Sequence, residues 1–212
     1  MNTSVKYYDA KEEKLNVWSH FIGLVLSVVA ATLLVVKTSL YDDVWHIVSF
    51  SIYGGSMILL YLASTLYHNS KEPKIRQRLN IFDHAAIYVL IAGTYTPYTL
   101  VTLNGTMGWV VFGIVWVAAL IGVILKLFYT GKYDKLSTIM YVVMGWVIII
   151  AIKPLVENLS QGGLIWLAFG GVFYTIGALF YMREKLNYNH AIFHIFVLLG
   201  SFCHFVSIFF YV

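Results

Sequence analysis

The stretch NHAIFHIFVLLGSFCHFVSIFFY, residues 189–211, contains no Asp, Glu, Lys or Arg. As an α-helix it would be about 35 Å long, which is enough to cross the hydrocarbon core of a bilayer. It also holds His190, His194 and His204, and ionisable side chains inside a membrane span are costly and usually functional. The stretch therefore predicts a transmembrane helix that carries chemistry.

Similar apolar runs fill the rest of the chain. Of its 212 residues, 60% are apolar and 11% are charged, more apolar surface than a soluble domain can bury. The runs are about 20 residues long and do not alternate, which favours helices over a β-barrel. We expect an all-α integral membrane protein, a single seven-transmembrane helix bundle over residues 1–212, with spans near 17–38, 44–68, 82–103, 107–128, 136–153, 162–182 and 189–211.

Basic residues predict the orientation of this bundle. Of the 14 Lys and Arg residues, only Lys37 and Lys153 fall on the side opposite the N-terminal segment. The positive-inside rule therefore places the N-terminus in the cytoplasm and the C-terminus outside the cell membrane. Residues 1–16 are expected to form a cytoplasmic segment without a cleaved signal peptide. Because the charge lies in loops, the basic pI indicates no nucleic-acid partner.

Several local features are assigned to packing. Asn104-Gly105-Thr106 predicts a tight turn between the third and fourth spans, and Pro97 predicts a kink in the third. Glycines in the sixth span should let helix backbones approach closely. Cys203, the single cysteine, excludes an internal disulfide.

The ionisable residues within the spans fall mostly at one depth. With the orientation above, all of them except His204 lie towards the cytoplasmic side. Lys and Arg gave the orientation and His and Asp gave this set, so their agreement is independent support for a site. The members at that depth are His20, His68, Asp83, His84, His190 and His194.

Three of these histidines predict a metal site. His190 and His194 are four residues apart, so their imidazoles share one helix face and can bind one ion. His68 lies at the same depth on the second span. Three histidines with an open fourth position are typical of catalytic zinc. Asp83 or Ser64 could hold the metal-bound water, Asp83 as general base.

Other histidines are left outside the first coordination sphere. His84 points about 100° away from Asp83 around the helix, and His204 lies about 15 Å beyond His194 along the axis. His204 is expected to hydrogen-bond between helices, and His20 is as readily structural as functional. A metal-free, proton-responsive histidine cluster is the main alternative to a zinc site.

The polar residues also match the motifs of a known family. The order and spacing resemble the progestin and adiponectin receptor superfamily, whose bacterial branch comprises the hemolysin III-like proteins. The resemblance covers the whole chain. The residues that carry it are Glu13, Asn16, Ser19 and His20 in a first motif, Ser64, His68, Asp83 and His84 in a second, and His190, His194 and His204 in a third.

This resemblance implies a seven-helix fold with the N-terminus inside and Zn²⁺ held by His68, His190 and His194. Asp83 and Ser64 match the polar partners of the zinc water in the receptors. The related ceramidases use a similar site for amide hydrolysis, whereas the bacterial branch is named for haemolysis and has been linked to membrane-lipid homeostasis.

Three functions follow as hypotheses. The first is a zinc-dependent hydrolase of a lipid amide or ester, with membrane lipids or acyl chains as partners. The second is a lipid sensor or receptor with structural zinc. The third is a cytolytic protein, which seven hydrophobic spans disfavour because a secreted pore former must first be soluble. A channel is disfavoured because the outer half of the bundle has few ionisable residues.

Overall fold

The predicted helix bundle is present in a computed structural model, which describes residues 6–40 and 43–212. The described chain contains seven helices that are long and apolar enough to cross a membrane, as predicted. We name them α1 (Ala10–Thr38), α2 (Val44–Asn69), α3 (Pro73–Leu103), α4 (Gly105–Tyr129), α5 (Asp134–Asn158), α6 (Gln161–Tyr181) and α7 (Asn189–Tyr211).

Three helices extend beyond the predicted spans because their polar ends continue the backbone hydrogen bonding past the apolar run. The first helix begins at Ala10, where the Asp9 side chain caps it by accepting from Lys11 N, so residues 10–16 are helical. The third begins at Pro73, nine residues before the prediction, and proline suits the first helical position. The fifth continues to Asn158.

Helices α2, α3 and α7 form the centre of the bundle. In the most apolar 18-residue stretch of α3, 72% of the residues are buried. The same share is 56% in α2, 44% in α7 and 22% in α1. Consecutive helices pack side by side from α1 to α4, and α6 packs on α7, which returns to contact α1. The last helix therefore lies beside the first.

Two helices, α3 and α5, change their hydrogen-bonding pattern within the bundle. After Pro97, α3 ends as a π-helix over Tyr98–Leu103, so the proline predicted as a kink lies at a change of helix type. In α5 a 3-10 segment, Val147–Ala151, separates two α-helical parts. The Tyr95 hydroxyl donates to the carbonyls of Met144 and Gly145 and accepts from Ile148 N, all within 2.9 Å. It thereby satisfies backbone groups that the break leaves free.

The turn and the glycines behave as predicted. Asn104 (φ 45°) and Gly105 (φ 57°) adopt left-handed conformations between α3 and α4, and the Asn104 side chain caps α4. In α6, Gly170 lies against His204 of α7, where an added Cβ would stand 2.6 Å from the imidazole Nε2. Glycine thus permits the close approach of α6 to α7.

Candidate metal centre

The three predicted ligand histidines meet at one end of the bundle. His68 lies in the last turn of α2, and His190 and His194 lie in the first turns of α7. One nitrogen from each ring lies within 4.8 Å of the other two, and all three residues are buried. The Nε2 atoms of His68 and His190 are 3.1 Å apart. This arrangement could hold a metal ion.

Each of these rings has a partner at its other nitrogen. His68 Nδ1 lies 2.8 Å from Glu13 Oε2, and His194 Nδ1 lies 3.3 Å from the Asn16 carbonyl oxygen and 3.2 Å from Ser19 Oγ. A carboxylate and a carbonyl only accept hydrogen bonds, so Nδ1 of both rings carries the proton. Their Nε2 atoms are then left with a lone pair, as a metal ligand requires.

His190 is oriented by a residue that precedes the first helix. Its Nδ1 lies 3.0 Å from the Tyr8 hydroxyl, and the two rings are stacked with centroids 4.6 Å apart. Its backbone N–H donates to Glu12 Oε1 at 3.1 Å. Burial raises the pKa of the Tyr8 hydroxyl far above its ordinary value, so Tyr8 stays neutral. The donor set therefore fits a metal at all three histidines.

The motif residues Glu13 and Ser19 thus gain a physical role through their side chains, and Asn16 gains one through its backbone carbonyl. They lie on one face of α1 and reach the metal-site histidines of α2 and α7. Sequence reasoning placed them only by family resemblance. It missed Tyr8 and Glu12, because both precede the predicted first span, 17–38, and neither has a spacing that marks it.

Arg76 was also missed, since the sequence suggested an ordinary loop cation. The structure places it in the first turn of α3 with 2% of its surface exposed. Its guanidinium pairs with Glu13 and donates to the backbone carbonyls of Lys6, Tyr67, His68 and Ser70. Arg76 therefore ties α2, α3 and the segment before α1 to the carboxylate that orients His68.

A cavity adjoins the metal centre, where His190 and His194 line it, and the predicted catalytic residues line it as well. Asp83 and Ser64 are both in its lining, together with His20, His190 and His194. Neither Ser64 Oγ nor either ring nitrogen of His20 has a hydrogen-bond partner within the described chain. His20 stacks on His194 with ring centroids 3.5 Å apart. Polar atoms are thus free to meet a ligand beside the histidines.

Two further histidines have different surroundings. His84 Nδ1 lies 2.9 Å from the Asn80 carbonyl and 3.8 Å from Asp83 Oδ2, and His84 lies outside the described three-histidine group, as expected. His46 lies 2.8 Å from Asp43 Oδ2 at the other end of α2. The pKa of the exposed Asp43 carboxyl is lowered, first by the hydrogen bond from the Trp45 backbone N–H and second by the hydrogen bond with the His46 side chain.

His204 departs from its prediction. It is buried on α7 at a distance from the metal centre, as its spacing implied, but its Nδ1 has no hydrogen-bond partner among the described residues. The interhelical hydrogen bond expected of His204 is therefore absent at this nitrogen. The nearby hydroxyls of Tyr61 and Tyr174 bond to Ser201 instead, one turn earlier on α7.

Comparison with known proteins places this site in a family. The model of the family described as "Haemolysin-III related" matches residues 8–205, which include every residue of the metal centre from Tyr8 to His194. The chain belongs to the haemolysin-III-related family. It is 48% identical to "Hemolysin-3" of Bacillus cereus, covering 95% of this chain and 92% of that protein.

Other relatives of this haemolysin-III-related chain extend the comparison. It is 47% identical to the "Hemolysin-3 homolog" of Bacillus subtilis (strain 168), over 96% of each chain. It is 28% identical to human "Monocyte to macrophage differentiation factor", covering 93% of this chain and 83% of that protein. The resemblance to the bacterial branch of the receptor superfamily is thereby confirmed.

Proposed function

We propose that this haemolysin-III-related protein holds a zinc ion at His68, His190 and His194 and hydrolyses an amide or ester bond of a membrane lipid. The observation that carries the proposal is the orientation of the three imidazoles. Each has its Nδ1 occupied by Glu13, Tyr8 or the Asn16 carbonyl, and unpaired polar atoms lie in the cavity beside them. Nitrogen ligands in this number suit zinc with an open position.

Asp83 and Ser64 are assigned the proton transfer and the charge stabilisation. When bound, zinc supplies a Lewis acid and lowers the pKa of a water towards about 7. The Asp83 carboxylate, in the cavity lining, can accept a proton there and pass it to the leaving group. The Ser64 hydroxyl, which has no partner in the described chain, can donate to the carbonyl oxygen as negative charge develops.

The cavity itself favours a lipid substrate. Beyond Asp83 and Ser64 its lining is mostly apolar, with Ile87, Leu90 and Val197 among its members. An acyl chain would be held by apolar contact, while the polar head of the bond would lie at the histidines. The site chemistry and the apolar cavity thus point to the same class of substrate.

A lipid sensor with structural zinc is the second candidate. It is favoured by the connectivity of the site, since a metal there would join α2 to α7, and Glu13 and Arg76 extend the network to α1 and α3. Ligand binding could then shift an equilibrium between two helix arrangements. A cytolytic activity has no comparable support in the site.

The two candidates separate in one experiment. Purified protein is analysed for metal by mass spectrometry and for release of fatty acid from lipid amides and esters, alongside His68→Ala, His194→Ala and Asp83→Asn. A hydrolase should contain about one zinc per chain, lose it in the histidine variants, and keep zinc but lose turnover in Asp83→Asn. The hydrolase would be refuted if Asp83→Asn turned over lipid as fast as the wild type, or if the wild type contained no zinc. If the wild type contained zinc but neither it nor any variant released fatty acid, the sensor would be favoured.

We also propose that the metal centre lies near the cytoplasmic face. Twelve basic residues flank the helix ends on the side of the metal centre. They are Lys6, Lys11, Lys14, Lys71, Lys74, Arg76, Arg78, Lys126, Lys132, Lys135, Arg183 and Lys185. Arg76 and Lys126 are buried, so part of this charge also serves the structure.

A further inference from the structure

The cavity beside the metal centre has a second polar end. His204 is part of the same lining as Asp83, Ser64 and His194, although it lies ten residues beyond His194 on α7. Ten helical residues correspond to about 15 Å along the axis. The cavity therefore runs along α7 from the histidine site to the His204 ring.

His204 is a buried residue with an unpaired polar atom. It is 6% exposed, and its Nδ1 is buried with no hydrogen-bond partner among the described residues. Leaving such a nitrogen unpaired in an apolar interior costs free energy, whether it is the donor or the acceptor of the neutral imidazole. Such a group calls for a partner that the protein does not itself provide.

Most of the neighbouring polar groups of the lining already have hydrogen-bond partners. The Tyr174 hydroxyl, whose ring lies 5.2 Å from that of His204, is 2.9 Å from Ser201 Oγ. The Thr94 hydroxyl donates to the Leu90 carbonyl at 2.8 Å, and the Tyr95 hydroxyl donates to the Met144 carbonyl of α5. Tyr98 Oη is the exception, since it too is buried without a partner in the described chain.

Between the two polar ends the surface of the lining is mostly apolar. Its members there include Ile87, Leu90, Ile91, Val142, Leu167 and Val197. A hydrocarbon chain suits this stretch, whereas a sugar or peptide would leave its polar groups unpaired. A ligand that matches the whole cavity therefore has a polar head, an apolar stem and one polar group further along.

We propose that His204 recognises a hydroxyl group on the acyl chain of the substrate, so that the protein prefers lipids with a mid-chain hydroxylated acyl group. A hydroxyl can either donate or accept, so it can pair with Nδ1 in either tautomer of the neutral imidazole. An extended chain advances about 1.2 Å per bond, so 15 Å places this hydroxyl near the twelfth carbon from the carbonyl. The inference rests on the proposed function, because the carbonyl is placed at Asp83 and Ser64.

The test measures binding of the product acid. Protein in lipid nanodiscs is loaded with a fluorescent fatty acid, which is displaced with octadecanoic acid, with the same acid hydroxylated at carbon twelve, or with the isomer hydroxylated at carbon two. One added hydrogen bond should make the carbon-twelve isomer bind about fivefold more tightly than the plain acid. The His204→Phe variant should bind the two acids within about twofold of each other.

Controls separate recognition from folding and from catalysis. Tyr174→Phe removes a hydroxyl that is committed to Ser201 and should keep the preference. His204→Leu answers the same question if Phe is too large beside Gly170, and plain octadecanoic acid binding reports a folded cavity in either variant. Asp83→Asn should show the preference without turnover, so a protein that is no hydrolase can still pass this test.

Two results would overturn the proposal. Equal affinity for the plain and carbon-twelve acids in the wild type would mean that water alone satisfies His204. If both His204 variants still bound the carbon-twelve acid more tightly than the plain acid, another residue would recognise the hydroxyl. If the carbon-two isomer gained as much affinity, and that gain also depended on His204, the hydroxyl would not lie at the proposed position along the chain.

Discussion

Replacing Glu13 by Gln should weaken zinc binding without changing any ligand. The Glu13 carboxylate lies 2.8 Å from His68 Nδ1 and pairs with Arg76, so it holds the ring in one tautomer and raises its basicity. Removing an orienting carboxylate of this kind typically lowers metal affinity about 10- to 100-fold, or about 1.4 to 2.8 kcal/mol. Gln keeps the shape and an accepting oxygen, which isolates the charge.

The same substitution should also lower thermal stability. Arg76 is 2% exposed and would lose its only described carboxylate partner, and breaking a buried ion pair costs about 3 to 5 kcal/mol. The cost here should fall below that range, because Arg76 keeps its bonds to four backbone carbonyls and Glu13 is partly exposed.

Glu12→Gln is the matched control, since Glu12 Oε1 accepts from the His190 backbone N–H, and no described hydrogen bond joins Glu12 to an imidazole ring. Zinc affinity is measured by competition with a chromogenic chelator at fixed pH in detergent. We expect a loss of at least tenfold for Glu13→Gln and at most about threefold for Glu12→Gln. Equal affinities in the wild type and Glu13→Gln would refute the orienting role of this carboxylate.

The remaining predictions concern neighbouring parts of the molecule. Tyr8→Phe should weaken zinc binding about fivefold in the same assay, because it removes one hydrogen bond to His190 and keeps the stacked ring; no change would exclude that bond as an orienting contact. Gly170→Ala should lower the free energy of unfolding by about 1 to 3 kcal/mol, because its Cβ would stand 2.6 Å from the His204 ring. Gly171→Ala, whose Cβ would meet Trp146 at 3.5 Å, should be neutral or stabilising. Similar melting temperatures for the two variants would contradict the close approach of α6 to α7. Reporter fusions should locate the N-terminus in the cytoplasm and the C-terminus outside, and the reverse result would place the metal centre at the outer face.

The helices and the ligand histidines could be predicted because each has a local signature. Long apolar runs indicate spans, and the four-residue spacing of His190 and His194 places both rings on one helix face. His68 followed from its depth in the second span. The helix ends were predicted less accurately. Helix α3, for example, begins at Pro73, nine residues before its apolar run, with a polar first turn.

The surroundings of the ligands could not be predicted in the same way. Tyr8 and Arg76 reach the site through the path of the segment before α1, and no sequence period specifies that path. His204 illustrates the opposite error. A buried histidine in a span was expected to find a partner on another helix, but the adjacent hydroxyls bond to Ser201, and the ring lies in a cavity instead.

The pairing of the first helix with the last has a consequence for how the protein is made. Bonds between Tyr8 and His190, Ser19 and His194, and the Asn16 carbonyl and His194 join residues 182, 175 and 178 positions apart. Domains form from the N-terminus as the chain is synthesised, so the polar face of α1 enters the membrane long before its partners exist. Insertion of α7 then completes the bundle and the metal centre in a single step, and a chain truncated before residue 189 would lack two of the three ligand histidines.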